Sequence, residues 1–248
     1  MTRPAPRSRP SWANYVMDVV FTLIVPLACL RPVLPFTDQG LGMLVGPVAA
    51  YLTASLVPVT YLLLSVLLAR RVNTVTTLAA ASALMSGALA FWPLSGVAFA
   101  IKDSSGSLFL LMVTSGSLWL RRPLFTSILQ VALLPGTPRQ EMQLRTLLAT
   151  PGMYDATRRA TVALQLKALL VASTNIIVKS AMVSAPFGTQ TFNSQLASAT
   201  AVMIPLAYLA SAAGYGLALW FIRRGFTRLL GRTVPMWGEG FWKALPPN

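Results

Sequence analysis

The sequence predicts an all-α fold, a polytopic membrane protein of about six transmembrane helices with short amphipathic interfacial helices between spans four and five. Three observations carry this reading. Of 248 residues, 55% are hydrophobic and only 10% charged, and the mean hydropathy is +0.64. A water-facing domain carries roughly a quarter of charged residues, so this chain lacks the charge to coat a solvated surface. Six apolar stretches reach the ~20 residues that a bilayer-crossing helix needs. The basic residues then sort almost entirely to one side of those stretches.

The six stretches fall at 15–35, 41–69, 75–92, 100–120, 161–183 and 196–222. They divide the chain into a basic tail (1–14), a bundle (15–222, with an interfacial segment at 123–160) and a C-terminal tail (223–248). An even number of spans puts both termini on one side. Arg3, Arg7 and Arg9 lie in the first tail, and Arg70 and Arg71 follow span two. Arg121, Arg122, Arg139, Arg145, Arg158 and Arg159 lie in the long segment after span four. Arg223, Arg224, Arg228, Arg232 and Lys243 end the chain. These sixteen oppose Arg31, Lys102 and Lys179 on the other side, with Lys167 inside a span. Positive charge collects on the cytoplasmic face, so both termini are expected there. Trp12, Trp119 and Trp220 at the cytoplasmic ends and Trp92 at an outer end match the interfacial preference of indole. Trp237 and Trp242 are expected on the membrane surface.

The net charge of +14 is therefore explained by topology and by anionic lipid on the inner leaflet, with no nucleic acid implied. Leu27-Ala28-Cys29 is reminiscent of a lipoprotein signal, but Pro26 and the Arg31-Pro32 pair argue for a retained first span with Cys29 as a small apolar residue.

The stretch 123–160 is more than a connection. Residues 123–134 are apolar yet too short to cross. Pro135, Gly136 and Pro138 break the chain, and Met142, Leu144, Leu147 and Leu148 then recur at roughly helical spacing among charged positions. Two short helices in the cytoplasmic interface fit this pattern. They either cap the bundle or offer a docking surface for anionic lipid or a partner protein, with Arg121, Arg122, Arg139, Arg145, Arg158 and Arg159 as candidate contacts.

Within the spans, Thr161, Gln165, Ala168, Ala172, Asn175 and Lys179 recur every three or four residues and share one helix face. Lys167 departs from that stripe and is expected to snorkel towards the cytoplasm. Lys102 and Asp103 stand at the outer end of span four, 17 residues or roughly 26 Å from Trp119. Span six offers Ala207, Ala210, Ser211, Gly214 and Ala218 as a second small-residue face, and Pro205 and Pro58 are expected to bend their helices. Two readings stay open. The polar residues are interhelical glue, or Lys102, Asp103, Gln165, Asn175 and Lys179 line an outward-opening cavity suited to an anionic group.

The absence of histidine and the single cysteine, Cys29, remove His-based catalysis, disulfide frameworks and Cys- or His-rich metal sites. No phosphate loop or nucleophile–base pair stands out, so the expectation is no enzyme, no metal and no cofactor.

Lys102-Asp103-Ser104, an apolar span, then Trp119-Leu120-Arg121-Arg122-Pro123-Leu124 resembles the central region of the bacterial intracellular septation protein A family, and Thr174-Asn175-Ile176-Ile177 of span five resembles an Ala-Asn-Ile-like stretch in the corresponding family helix. The resemblance covers roughly residues 70–222. The basic N-terminus, the longer fourth loop and the Trp-containing tail depart from the smaller members and look closer to a longer, functionally undescribed group. The resemblance implies an inner-membrane protein of cell-envelope maintenance or division, acting as a scaffold through protein and lipid contacts, with no catalytic residues. The rival expectation is a small transporter or lipid-handling protein using the polar cavity.

Overall fold

The computed structural model describes Met17 and residues 20–31, 40–68, 74–133, 135, 137–231 and 239–245. Arg3, Arg7, Arg9, Trp12, Arg70, Arg71, Arg232 and Trp237, with the start of the first expected span, lie outside them. The fold is all-helical, with no strand among the described residues.

A π-helical turn, Val20–Ile24, leads into α1 (Val25–Leu30), whose second position is Pro26. A short α2 (Leu41–Val45) ends at Gly46, whose φ of 87° requires glycine or a strained substitute. There follow α3 (Pro47–Leu68), α4 (Thr74–Ala90), α5 (Gly96–Asp103) and α6 (Ser105–Trp119). The interfacial segment forms α7 (Leu124–Ala132) and α8 (Pro138–Leu148). Two long helices, α9 (Pro151–Met182) and α10 (Gln190–Leu230), complete the bundle, and α11 (Glu239–Ala244) lies in the C-terminal tail.

Three helices are long and apolar enough to cross a membrane: Pro47–Ser65 of α3, α9 and α10. A fourth span exists if α5 and α6 are taken together. Six spans are therefore not reached among the described residues. The fourth expected span is a broken helix beginning at Gly96, its halves meeting at 55° across Ser104. The third, α4, has 17 residues and rises about 25 Å, short of a ~30 Å hydrocarbon core. Only 17–28% of the residues in the three apolar windows are buried, and large apolar side chains such as Leu67, Ile177 and Leu209 face outward. That is the surface of a helix bundle made for an apolar surrounding.

The central helix is α9. It packs along α10 and against α5, α6 and α7, while α4 bridges α3 and α6. Two separate apolar clusters result. One joins Phe125 and Leu129 of α7, Leu144 and Leu148 of α8, Met153 and Leu164 of α9, Ile222 and Phe226 of α10, and Phe241 of α11. Leu144, Leu147 and Leu148 of α8 and Phe125 and Leu129 of α7 are thus spent on capping the bundle, whereas Met142 is exposed. The other cluster lies at the opposite end and joins Cys29, Tyr51, Phe99, Val183, Phe192 and Leu196. Glycines set the α9–α10 approach: a Cβ at Gly225 would sit 2.7 Å from Cβ of Ala156, and one at Gly214 would sit 2.7 Å from Cβ of Lys167. Pro58 and Pro205 lie inside helices that run on through them.

The end of α6 is strained. Arg122 N–H donates to the carbonyl of Ser117 (2.9 Å) and Arg121 N–H to that of Leu118 (3.1 Å), the paired bonds of a Schellman cap. That motif requires a left-handed residue, and here it is Arg121, at φ 56°, where glycine is usual. A left-handed non-glycine residue costs roughly 1–2 kcal/mol. Arg121→Gly is expected to raise stability by about 1 kcal/mol in thermal unfolding in detergent. Arg121→Ala removes the same charge but keeps the strain, and is expected to give no gain.

Candidate functional site

The break between α5 and α6 follows from a run of small polar residues, Ser104, Ser105, Gly106 and Ser107. These are weak helix formers whose hydroxyls compete for backbone partners. The Ser104 hydroxyl turns back to the carbonyl of Ala100 (2.8 Å). The break delivers two adjacent charged residues in opposite directions.

Asp103 turns towards α9. Its Oδ2 accepts from Lys179 Nζ in a close ion pair and from Asn175 Nδ2 (3.1 Å). The same Asn175 amide donates to the Ser104 hydroxyl (2.9 Å). The Lys179 side chain is 7% exposed and that of Asp103 27%. Lys102 turns away from this pair. Its ammonium donates to the carbonyl of Trp92 (2.7 Å) and lies 5.3 Å from the ring centres of Tyr51 and Phe99 and 5.7 Å from that of Phe187. Those rings, with Phe192, meet edge to face at 4.9–6.3 Å between centres. A desolvated ammonium among aromatic faces is held by their quadrupoles, so the residue is its own cage's occupant.

Gln165 lies further along α9, where its amide donates to Ser115 of α6 (2.8 Å). The five residues expected to line one cavity therefore divide into three assemblies: the Asp103–Asn175–Lys179 cluster, the Lys102 cage and the Gln165–Ser115 bond. The α9 stripe does face the bundle: Thr161, Ala168 and Ala172 are buried, and Thr161 Oγ1 accepts from the backbone of Phe125 (3.1 Å). Lys167 packs its stem against Gly214, with its ammonium 4.8 Å from the ring centre of Tyr215.

Spacing alone did not find the polar ties at the end of the bundle that carries the Lys102 cage. Gln195 Oε1 accepts from the backbone of Ser184 (3.0 Å) and Ala185 (2.9 Å), Asn193 donates to the carbonyl of Pro47 (2.8 Å), and Ser95 accepts from Phe187 N–H (2.9 Å). Each lies beside a predicted span boundary, the one signal that pointed to them.

At the opposite end the candidate docking arginines separate. Arg121 and Arg122 cap α6, and Arg145 pairs with Glu141 one turn away on α8 (2.7 Å), both exposed. Exposed pairs of this kind contribute little stability. Arg158 and Arg159 stand on α9 facing the end of α10, where Arg224 and Arg228 complete a groove. Those last two were assigned only to a tail by sequence, but the antiparallel packing of α9 on α10 brings them alongside.

These features define an all-helical protein with several helices long and apolar enough to cross a membrane, internally paired charges at one end and an arginine-lined groove at the other. No family model, curated protein or solved structure matches the chain.

Removing one partner of a buried ion pair strands the other. The usual penalty of about 3–5 kcal/mol falls to about 2–3 kcal/mol here because Asp103 is partly exposed. Asp103→Asn is expected to cost that amount in unfolding measurements, and the double variant Asp103→Asn/Lys179→Met is expected to recover more than half of it. Independent, additive costs would show that the pair is not coupled.

Proposed function

We propose that this protein is a non-enzymatic integral membrane scaffold of the bacterial inner membrane, concerned with maintaining or dividing the cell envelope. It is read as crossing the membrane about six times with both termini in the cytoplasm. The observation that carries the reading is how the charge is disposed. The ionisable groups within the bundle are used on one another or on aromatic faces, as Asp103, Lys179 and Lys102 show. The arginines at the other end stand exposed just after α6 and on α8, α9 and α10. A bundle so tied internally is suited to presenting a fixed surface, and positive charge at that surface attracts anionic lipid and acidic partners. The likeness to the septation protein A family supports the same reading.

One observation favours a second reading, a small transporter or lipid-handling protein. Broken spans with charged residues at the break recur where transporters hold their cargo, and α5–α6 is such a span.

Gentle extraction followed by native mass spectrometry separates the two. The scaffold reading expects a reproducible co-purifying protein that survives Lys102→Ala and is lost on charge reversal at Arg139 or Arg145. A small anion held by wild type and lost on Lys102→Ala or Lys179→Ala would overturn it for the second reading. A reporter at Gln190 is expected outside the cytoplasm, and a cytoplasmic signal there would overturn the topology.

A further inference from the structure

We infer that the groove between the start of α9 and the end of α10 is a binding site for one anionic phospholipid, headgroup among the arginines and one acyl chain along the apolar wall below. The inference rests on the membrane reading above but not on the scaffold.

The groove has two parts that share Asp155, Arg159 and Phe221. The upper part encloses about 110 Å³, with Arg159 on one helix and Arg224 and Arg228 on the other. The lower part is larger, about 440 Å³, and its walls are apolar: Val162, Leu166, Leu217 and Phe221. Arg158 stands at its upper rim with Arg159. Polarity thus changes along the groove from cationic to hydrocarbon, which is the sequence of chemistry in a phospholipid. From Asp155 to Leu166 along α9 is about 16 Å, close to one leaflet of a ~30 Å hydrocarbon core.

The charge is uncommitted. Among the described residues, neither Asp155 nor any of these four arginines takes part in an ion pair within 4.0 Å. Arg224 instead stacks over Trp220, 5.3 Å from its ring centre, leaving the guanidinium edge open. Four arginines against the single Asp155 leave an excess of positive charge. Guanidinium groups match phosphate oxygens bidentately, while a choline headgroup would bring its own cation into the same field. Close packing at Gly225 and Gly152 brings the two helices together here, so the arginines are held by a fixed crossing.

The test uses the purified full chain, delipidated in detergent and titrated separately with phosphatidylglycerol and phosphatidylcholine under native mass spectrometry. Wild type is expected to retain one phosphatidylglycerol at concentrations about tenfold below those needed for phosphatidylcholine. Arg159→Gln/Arg224→Gln is expected to lose that preference, and Arg139→Gln/Arg145→Gln on α8 to keep it. Leu217→Trp fills the apolar wall without touching the arginines and is expected to weaken phosphatidylglycerol retention as well. It decides the matter if the arginine variant fails to elute as a folded monodisperse species. Millimolar inorganic phosphate is expected not to displace the lipid. Equal retention of the two lipids, an unaffected arginine variant, or full displacement by phosphate would each overturn the site. The scaffold can fail, with no partner found, while this preference persists. If the membrane reading fails, the chain remains soluble without detergent.

Discussion

The structure depends on the contact between a broken helix and an unbroken one. Interrupting an apolar helix leaves backbone groups and, here, two charges that must find partners at the break. The α5–α6 break is tolerated because α9 brings a counterion and a carboxamide to it: Lys179 on Asp103, and Asn175 on both Asp103 and Ser104. Lys102 is answered separately, by a carbonyl and three aromatic faces from α3, α5 and the α9–α10 connection. These contacts fix where α5 and α6 stand relative to α9, and so the position of the aromatic cluster around Phe192.

Distance from that contact divides the molecule. The end near the break is stapled by many side-chain hydrogen bonds, whereas the far end is held mainly by apolar packing of α7, α8 and α11 on the α9–α10 pair. Among the described helices, α10 places buried residues in both clusters, while α9 runs from the heart of the first to Val178 and Met182 at the edge of the second. Their close approach, permitted by Gly214 and Gly225, is what makes the two ends one body.

Much of the architecture was legible from hydropathy and spacing. The three-and-four rhythm of Thr161, Gln165, Ala168, Ala172, Asn175 and Lys179 names the inward face of α9, and Pro135 and Pro138 separate α7 from α8. The break at Ser104 was not legible, because hydropathy averages over a window and the flanking apolar residues mask three serines. Nor was the Lys102 cage. Phe99 lies one turn before Lys102, but Tyr51 and Phe187 are far from it in sequence, and nothing local marks those two as a cation's neighbours. Treating Lys102 and Asp103 as one site was natural from adjacency, yet at a helix break neighbouring side chains leave in different directions. The groove arginines illustrate the same limit, since their convergence depends on the antiparallel register of two helices.

The sequence separation of the central ion pair bears on biosynthesis. Asp103 and Lys179 are 76 residues apart, so at ribosomal rates of ~5–20 residues per second roughly 4–15 seconds pass between their syntheses. During that interval α5 and α6 exist without α9, and the carboxylate has no counterion from that helix. The early half of the chain is thus an unfinished assembly whose acidic group still lacks its partners on α9. Truncation anywhere before α9 leaves that group permanently unmatched.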